Sequence, residues 1–599
     1  MLKVWSVMHA YSRVTFNNKT NIISLNQTII YNKPFIKNNN DFKEASKILI
    51  NSIKNNEKIC ILGDYDADGT AATSLLVRYF NYIKQPHFYY IPDRVKDGYG
   101  ATKKLFQKLI LNQPKLVIMV DCGSTSNEAI DFLNENKIKS IIIDHHEINK
   151  PYPASNVIIN PKKNITRNEE SYLCATSLTY FFLDYLIKSI GSDFKINNYL
   201  IFVLLATVCD VMPLRKINKI IASNVIKNFK LNDNAVFKFI FDQLGLNKKF
   251  SIDDLGFLIG PIINSGGRLG FSNYGTELLT TDDPKLIQKR SIELIKLNEK
   301  RKILEQNILD GIDYEKINKQ NQKVIIYYDA NINEGLIGII AARLKDYFNK
   351  PSIVITKSNN TLKASARSTS NYNIGNLIKS LIDNKIIEKG GGHNMAAGFT
   401  IKKSKLNSLN EFIQKDYNNK IIDADLSYKY ESEISTSSIN KRFIDEINKL
   451  GPFGNHNYLP IFLIRNVKII KPMKMGLLHR TYTIAETHQF VIKPIFFFDL
   501  FATENVLPDP EAWRRVMSAL PATQPFDEVM PKPVKEVLLV GEAFSEGGKA
   551  VTELEVELSI GQLKKQLQVS GDRIWQKRFM RSRATAPAPF KSKPISWDR

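Results

Sequence analysis

The stretch from residue 59 to residue 70, Ile-Cys-Ile-Leu-Gly-Asp-Tyr-Asp-Ala-Asp-Gly-Thr, constrains the fold of this chain more than any other. Its four leading apolar residues predict a strand that is covered on both faces, and the apolar residues after Gly69 recur at helical spacing. The carboxylates of Asp64, Asp66 and Asp68 therefore fall in a turn between a strand and a helix. Such turns, at the carboxyl ends of parallel strands, are where open α/β sheets bind ligands.

Three carboxylates this close together repel each other unless a cation lies between them, so the turn indicates a divalent metal site. A calcium-binding EF-hand loop begins with the same Asp-x-Asp-x-Asp-Gly pattern. Its twelfth position would be Leu75 instead of Glu, however, and a strand precedes it where an EF-hand has a helix. Capping of the following helix accounts for only one of the three aspartates.

Later apolar segments also end in side chains that can bind a metal. The segment 116–120 is followed by Asp121, the segment 140–143 by Asp144-His145-His146, and the helical segment 199–208 by Cys209-Asp210. Carboxylates with one or two imidazoles suit Mn²⁺ or Mg²⁺ better than structural zinc, which favours cysteine. The sequence predicts one joint site that contains Asp64, Asp66, Asp68, Asp121, His145, His146 and Asp210.

These motifs resemble the DHH phosphoesterase superfamily, named for the triplet at residues 144–146, and within it the RecJ-type single-stranded-DNA exonucleases. The segments 64–69, 120–123 and 206–214 look like other motifs of that family, and the resemblance spans about residues 40–472. It implies two bound cations, Mn²⁺ or Mg²⁺. It implies as their ligands Asp66, Asp68, Asp121, His145 and Asp210, with Asp64 as a further metal contact and His146 as a catalytic group that contacts phosphate.

Two glycine-rich segments are candidates for substrate binding. The first, residues 260–270, is predicted to be a loop. By the family resemblance it faces the nucleic-acid strand and makes Asn264 and Arg268 phosphate contacts, although many members carry arginine where Ile262 stands. The second, Gly390-Gly391-Gly392-His393, lets backbone N–H groups approach a phosphate closely.

The resemblance also assigns substrate contacts in the second lobe. It looks like the DHHA1 (DHH-associated) domain, which implies that Ser365 and Arg367, with Arg94 from the first lobe, hold the 5′ end and that His393 lies near the scissile phosphate. From the residues alone, the sequence favours an ordinary surface side chain for Arg94 over a substrate contact.

The predicted fold class is α/β, with a two-lobed DHH/DHHA1 core whose parallel sheets are joined by a long helix at residues 284–317. A truncated OB-like β segment and a separate β-rich tail follow. The predicted divisions are an irregular segment 1–45, the DHH metal-binding domain 46–215, a helical connector region 216–318, the DHHA1 substrate domain 319–422, a partial OB-fold 423–472 and the tail 473–599.

The composition changes abruptly near residue 473. Asn505 is the only asparagine from there to residue 599, and Trp513, Trp575 and Trp597 are three of the chain's four tryptophans. We interpret the tail as a fusion with an unrelated reading frame, in which barrel strands stop near residue 471. The tail weakly resembles a bacterial domain of unknown function that is linked to type VI secretion.

Composition agrees with a nucleic-acid partner. The 599 residues are 43% hydrophobic and carry a formal net charge of +23, which favours an anionic partner, although an AT-rich genome also inflates lysine. The four widely spaced cysteines fit a reducing compartment, and the longest apolar run is too short to span a bilayer, so we expect a cytoplasmic protein without membrane contact.

The resemblance implies a two-metal-ion exonuclease that degrades single-stranded DNA from 5′ to 3′ into mononucleotides, in DNA repair and recombination. A single-strand-binding protein and a helicase are its candidate partners. Two alternatives stay open at this point. One is a DHH phosphodiesterase for short oligonucleotides or cyclic dinucleotides, and the other is a non-catalytic scaffold that binds single strands.

Overall fold

The computed structural model describes residues 39–93, 96–98, 100–163, 170–358, 361–420, 430–435 and 438–465, and short strands between residues 467 and 557. The first lobe is built on a five-stranded parallel sheet in the order β2-β1-β3-β4-β5. Its strands are β1 (Ile59–Leu62), β2 (His87–Tyr90), β3 (Leu116–Val120), β4 (Lys139–Ile143) and β5 (Val157–Ile159).

Helices cover both faces of this sheet. Successive residues of each central strand alternate between two apolar cores: Ile59 and Ile61 pack on one side, and Cys60 and Leu62 on the other. This double burial explains why the strands are continuous apolar runs in the sequence. The helices that accompany the sheet are α1 (Asn40–Lys54), α2 (Ala67–Tyr82), α3 (Lys103–Leu109), α4 (Asn127–Glu135), α5 (Ala175–Ile190) and α6 (Leu200–Cys209).

A helical region connects the first lobe to the second. It contains α7 (Lys216–Asn228), α8 (Ala235–Gln243), α9 (Ile252–Asp254), a π-helical turn at Leu255–Ile259, α10 (Gly260–Arg268), α11 (Tyr274–Thr280), α12 (Pro284–Asp310) and α13 (Tyr314–Lys319). The prediction of a single helix over residues 284–317 is wrong about where that helix ends. The helix α12 stops before Gly311, and Asp313 caps α13 as a separate helix by accepting from the N–H of Lys316.

A buried glutamate fixes the connector helix to the second lobe. The carboxylate of Glu305 on α12 accepts from Arg301 at 2.6 Å and from Arg343 of the second lobe at 2.8 Å. Glu305 is only 3% exposed. Arg301 lies on α12 itself, so Arg343 is the partner that holds this end of α12 and the second lobe together.

The second lobe is α/β, as expected, but its sheet is mixed. Its strands are β6 (Ile325–Tyr328), β7 (Ser352–Ser358), β8 (Thr361–Arg367), β9 (Lys389–Gly392) and β10 (Ala396–Ile401), and its helices are α14 (Ile337–Phe348), α15 (Ile374–Asp383) and α16 (Leu406–Lys420). The order is β6-β7-β8-β10-β9, in which β6 and β7 are parallel and the other pairs antiparallel. The two-lobed α/β class is confirmed, whereas the prediction of parallel strands holds for the first sheet only.

Short strands and one helix make up the described part of the carboxyl-terminal region: β11 (Ser432–Glu433), α17 (Lys441–Asn448), β12 (Phe462–Arg465), β13 (Val467–Ile469), β14 (Met473–Met475), β15 (His479–Glu486), β16 (Gln489–Phe497), β17 (Ala502–Thr503), β18 (Glu536–Leu539), β19 (Glu542–Ala543) and β20 (Val556–Glu557). β13, β14, β15 and β16 form one antiparallel sheet, so strands from both sides of residue 472 pair with each other. Of the helices in the described part of the chain, none has the length and apolar character needed to span a bilayer.

Candidate metal centre

The acidic and imidazole side chains meet at one edge of the first sheet. The carboxyl ends of β1, β3 and β4 lead into Asp64, Asp121 and Asp144, respectively. In a parallel sheet of order 2-1-3-4-5, the connections from β1 and β3 leave in opposite directions, which opens a crevice where such sheets bind ligands. The strand order therefore explains why residues so far apart in the sequence converge.

The turn after β1 fixes its three aspartates in different ways. Asp64 is buried, and a Cβ atom on Gly69 would lie 2.6 Å from the backbone nitrogen of Asp64, so only glycine fits there. Asp66 caps α2 by accepting from the N–H groups of Asp68 and Gly69. Asp68 accepts from the N–H groups of Ala175 and Thr176 at 2.8 Å each. The first turn of α5, which the sequence analysis did not single out, thus orients the Asp68 carboxylate.

His145 lies at the centre of the site. Its Nε2 atom is 3.3 Å from Asp121 Oδ1, 3.5 Å from Asp210 Oδ2 and 3.6 Å from Asp68 Oδ2. Asp121 has a φ of 61°, in the left-handed region that few residues other than glycine adopt. Its N–H donates to Ile143 O at 3.0 Å, so β4 holds this conformation from the neighbouring strand.

Asp144, the first residue of the triplet, is a positioning residue that was missing from the predicted set. Its Oδ1 atom accepts from the backbone N–H of His145 at 2.7 Å and lies 2.8 Å from His146 Nδ1, while Oδ2 accepts from Ser124 N–H. The backbone N–H of His146 also donates to Oδ1, at 3.1 Å, so Asp144 holds the backbone of both histidines and the ring of His146. The triplet itself was the sequence signal that could have identified this role.

The electrostatics of the cluster fit divalent cations. Burial raises the pKa of both Asp121 and Asp210 well above the ordinary value, and the neighbouring carboxylates raise both further. Burial raises the pKa of Asp68 to about 6, and the negative charge of Asp66 adds to this shift. Hydrogen bonds from Thr176 and Ala175 act in the opposite direction. Burial lowers the pKa of His145, which keeps its imidazole neutral and able to bind a metal. A cation among these groups would offset their mutual repulsion.

The candidate ligand atoms form groups that are compact enough to hold a metal ion. Asp68, His145 and Asp210 bring one atom each within 4.8 Å of one another, and so do Asp64, Asp66 and Asp121. Asp121 Oδ1 is buried and accepts no hydrogen bond from the described residues, which suits a ligand atom. These two groups share no residue, so the donor set fits two ions, and a third group joins Asp121, His145 and His146.

The second lobe contributes His393 to the same place. Its ring stacks on His146 with 5.9 Å between the ring centroids and an interplanar angle of 21°. Nδ1 of His393 lies 3.6 Å from Glu147, which also pairs with Lys162 at 3.1 Å. Burial lowers the pKa of His146, but the charge and hydrogen bond of Asp144 outweigh this and raise it to about 9. The Asp144 carboxylate therefore favours the protonated form of the His146 imidazole.

The remaining predicted substrate residues fall into two groups. Arg367 Nη1 lies 3.3 Å from Ser365 Oγ, and both side chains face Gly338, where a Cβ atom would lie 3.1 Å from Arg367 Nη2. Asn264 and Arg268 both lie on α10, and Arg268 Nη1 donates to Gly335 O of the second lobe at 3.4 Å. Arg94 lies outside the described residues.

The prediction of a glycine-rich loop over residues 260–270 is wrong, because Gly260–Arg268 is a helix. Its glycines allow close packing. A Cβ atom on Gly267 would lie 2.7 Å from Tyr65 O, and one on Gly260 would lie 2.2 Å from Cys209 Sγ. The helix α10 can thus pack directly on the backbone that carries the aspartates, and Ile262 is buried in the core.

Comparisons with known proteins match this arrangement domain by domain. The model of the DHH family, N-terminal domain, matches residues 58–207, and that of the DHHA1 domain matches residues 321–419. Two stretches of this chain are thus similar to the two core domains of DHH-family proteins. The RecJ OB domain model matches residues 430–510, and an uncharacterized protein family conserved in bacteria, DUF2169, matches residues 485–599. The tail's resemblance to a bacterial domain of unknown function is confirmed.

Curated relatives of this chain are named as single-stranded-DNA-specific exonucleases. The single-stranded-DNA-specific exonuclease RecJ of Bacillus subtilis is 28% identical over 449 residues, which are 72% of this chain and 55% of that protein, so the chain spans about half of its length. The structure of RecJ from Thermus thermophilus in complex with Mn²⁺ covers 86% of this chain and 70% of its own, with a TM-score of 0.68 and 22% identity. A structure of exonuclease RecJ bound to manganese covers 64% and 95%, with a TM-score of 0.54 and 25% identity.

Proposed function

We propose that this protein is a metal-dependent exonuclease that hydrolyses single-stranded DNA from the 5′ end and releases mononucleotides. The observation that carries the proposal is the convergence of Asp68, Asp121 and Asp210 on His145 Nε2, within 3.6 Å. Carboxylates around a neutral imidazole are a donor set for hard divalent cations and do not form a protein nucleophile. The two RecJ structures named above contain manganese, which supports Mn²⁺, and Mg²⁺ is the second candidate ion.

In this proposal, the chain's own residues hold the ions and orient the phosphodiester. Asp64, Asp66, Asp68, Asp121, His145 and Asp210 would hold two cations. When bound, such a pair lowers the pKa of a water molecule and stabilises the charge of an in-line attack on phosphorus. In its protonated form, His146, held by Asp144, donates to a phosphate oxygen, and His393 lies against its ring from the second lobe.

The remaining residues bind the strand. We assign Ser365 and Arg367, with Arg94, to the 5′ end, since an arginine next to a hydroxyl suits bidentate binding of phosphate. Asn264 and Arg268 contact the backbone of the strand further along. The net charge of +23 agrees with a polyanionic substrate. Within this proposal the enzyme acts in the cytoplasm in DNA repair and recombination, with a single-strand-binding protein and a helicase that expose its substrate.

Turnover of labelled single strands tests the proposal. With Mn²⁺ present, 5′-labelled single-stranded DNA should release labelled mononucleotide at once, whereas 3′-labelled strands should shorten progressively from the unlabelled end. Asp121→Ala should abolish both reactions. Equal activity of that variant, or release of mononucleotide from the 3′ end first, would contradict the assignment.

A length series distinguishes a polymer-degrading enzyme from one that acts on very short oligonucleotides. We expect kcat/KM to rise with strand length up to the number of nucleotides that the cleft between the lobes can contact. A maximum at dinucleotides would favour the short-substrate phosphodiesterase, and binding without turnover would favour the scaffold.

A further inference from the structure

The turn that carries Asp210 contains a residue in an unfavourable conformation. Helix α6 ends in a Schellman-type turn, in which Val211 N–H donates to Val208 O at 3.1 Å and Met212 N–H donates to Thr207 O at 2.9 Å. Val211 has a φ of 55°, at the position where such turns usually have glycine. A β-branched side chain is strained there, so the surrounding structure has to hold the turn in place.

The support comes from a loop far away in the sequence. Nδ2 of Asn455 donates to Val211 O at 2.6 Å, over a separation of 244 residues. The backbone of the same residue accepts from Leu214 N–H, also at 2.6 Å. Asn455 thus binds the chain on both sides of Met212 and Pro213, immediately after the candidate metal ligand.

The loop that presents Asn455 is itself fitted to this place. It comprises residues 451–457 and is named here the support loop. A Cβ atom on Gly454 would lie 2.6 Å from Leu214 Cδ1, so a larger residue would have to displace this buried side chain. Within the loop, Asn457 Nδ2 donates to Pro452 O at 2.7 Å, and Lys219 of α7 donates to Asn457 Oδ1 at 3.0 Å. These contacts fix the support loop against the first lobe.

We propose that Asn455 is a positioning residue for Asp210, and that the support loop is therefore part of the metal centre although it lies outside the DHH and DHHA1 domains. The inference rests on the proposed function, since it assumes that Asp210 binds a cation. Without the Asn455 amide, Val211 would relax from its left-handed conformation and move the Asp210 carboxylate away from His145.

The test uses the full-length chain and measures Mn²⁺ binding by calorimetry, independently of turnover. Asn455→Asp keeps the side-chain volume but removes the N–H donor, and we expect it to weaken Mn²⁺ binding about tenfold, as is typical for groups that orient metal ligands. An added carboxylate would by itself attract cations more strongly, so a weaker affinity reports the lost hydrogen bond. Asn440→Asp is the matched control, because aspartate caps α17 as well as asparagine does.

A second substitution separates positioning from general damage. Glycine adopts a positive φ without strain, so Val211→Gly should make the turn independent of its support. The double variant Val211→Gly/Asn455→Asp should then bind Mn²⁺ within about twofold of Val211→Gly alone, as expected for a coupled pair. Asn455→Ser, which is uncharged and too short to reach, should weaken binding as Asn455→Asp does, and replaces it if that variant folds poorly.

The outcomes are distinguishable. If the wild type binds Mn²⁺ and Asp121→Ala does not, but Asn455→Asp and Asn455→Ser bind like the wild type, the positioning role is wrong and the proposed function stands. Failure of Val211→Gly to restore binding would also overturn the positioning role. If the wild type binds no Mn²⁺ at all, the proposed function and this inference both fail.

Discussion

Asp121 and Asp210 approach the same imidazole but are supported differently. Asp121 is 1% exposed and directly follows β3, where the neighbouring strand β4 accepts its backbone N–H. The side chain of Asp210 is 34% exposed and follows a helix whose last turn depends on the support loop. Both turns contain a residue with positive φ, Asp121 itself in one and Val211 in the other. One side of the metal centre is therefore built by the first lobe alone, and the other requires the carboxyl-terminal region.

The largest expected difference is between the two aspartates themselves. Asp121→Asn should lower kcat by about 10³-fold and Asp210→Asn by about 10²-fold, because ions that stabilise transition-state charge contribute several kcal/mol and the exposed position can be replaced in part by water. Single-turnover kinetics with saturating Mn²⁺ measure both. Equal losses of kcat would show that Asp121 and Asp210 contribute alike.

The next effect concerns His393, which also reaches the centre from outside the first lobe. His393→Ala should lower kcat by about 10²-fold with little change in KM, which is the range for a group that assists proton transfer or charge stabilisation. Glu147→Gln keeps the shape of the side chain but removes the charge beside His393 Nδ1, and we expect it to lower kcat about tenfold. Lys162→Gln is the control. It removes a different partner of the same Glu147 carboxylate and leaves the contact between Glu147 and His393 in place. A change in KM alone would contradict this role for His393.

The pH dependence of stability should separate the buried carboxylates from the rest of the chain. Burial raises the pKa of Asp68 to about 6, so without metal its contribution is favourable below about pH 4 and is lost as the pH rises through about 6. Burial shifts the pKa of Asp121 in the same direction. The melting temperature of the metal-free protein should therefore fall between about pH 4 and about pH 6.

Mn²⁺ binds the deprotonated carboxylates, so its stabilising effect should grow over the same pH interval. Asp121→Asn serves as the comparison, because it removes one of the titrating groups and should show a smaller fall without metal and a smaller gain with it. A metal effect that is constant from about pH 4 to about pH 6 would contradict the assignment of these carboxylates as ligands.

The smallest effect concerns the strained valine. Val211→Gly should change the free energy of unfolding of the first lobe by about 0.5–1 kcal/mol in the stabilising direction, since the relief of left-handed strain exceeds the added freedom of the unfolded chain. Val208→Gly is the control, because a glycine inside helix α6 should destabilise by about 1 kcal/mol. Denaturant titration followed by circular dichroism measures both. A destabilising Val211→Gly would show that the turn is not strained.

Much of the side of the metal centre that the first lobe builds alone could be predicted from the sequence. Strands β1, β3 and β4 are continuous apolar runs because both faces of the sheet are buried, and each run ends in a side chain that can bind a metal. The buried runs therefore located the acids without any knowledge of the fold. Local pattern also identified Asp210, since an acid directly after an apolar helix is conspicuous.

What could not be predicted depends on contacts between distant segments. Ala175 and Thr176 donate to Asp68 through backbone groups, which leave no mark in the residue types. Asn455 lies in a segment whose resemblance pointed to an OB domain and not to the metal centre. The glycines of 260–270 suggested a loop by local propensity, but close packing against Tyr65 and Cys209 requires them in a helix. Tertiary packing overrode helix propensity in this segment.

The contact between Arg268 and Gly335 has a geometric consequence for the cleft between the lobes. A Cβ atom on Gly335 would lie only 2.1 Å from Arg268 O, far inside a van der Waals contact, so any larger residue there would force the second lobe away from α10. His393 belongs to that lobe and would move with it, away from His146. The absence of one methyl group at Gly335 thus sets how closely the two halves of the reaction centre can approach.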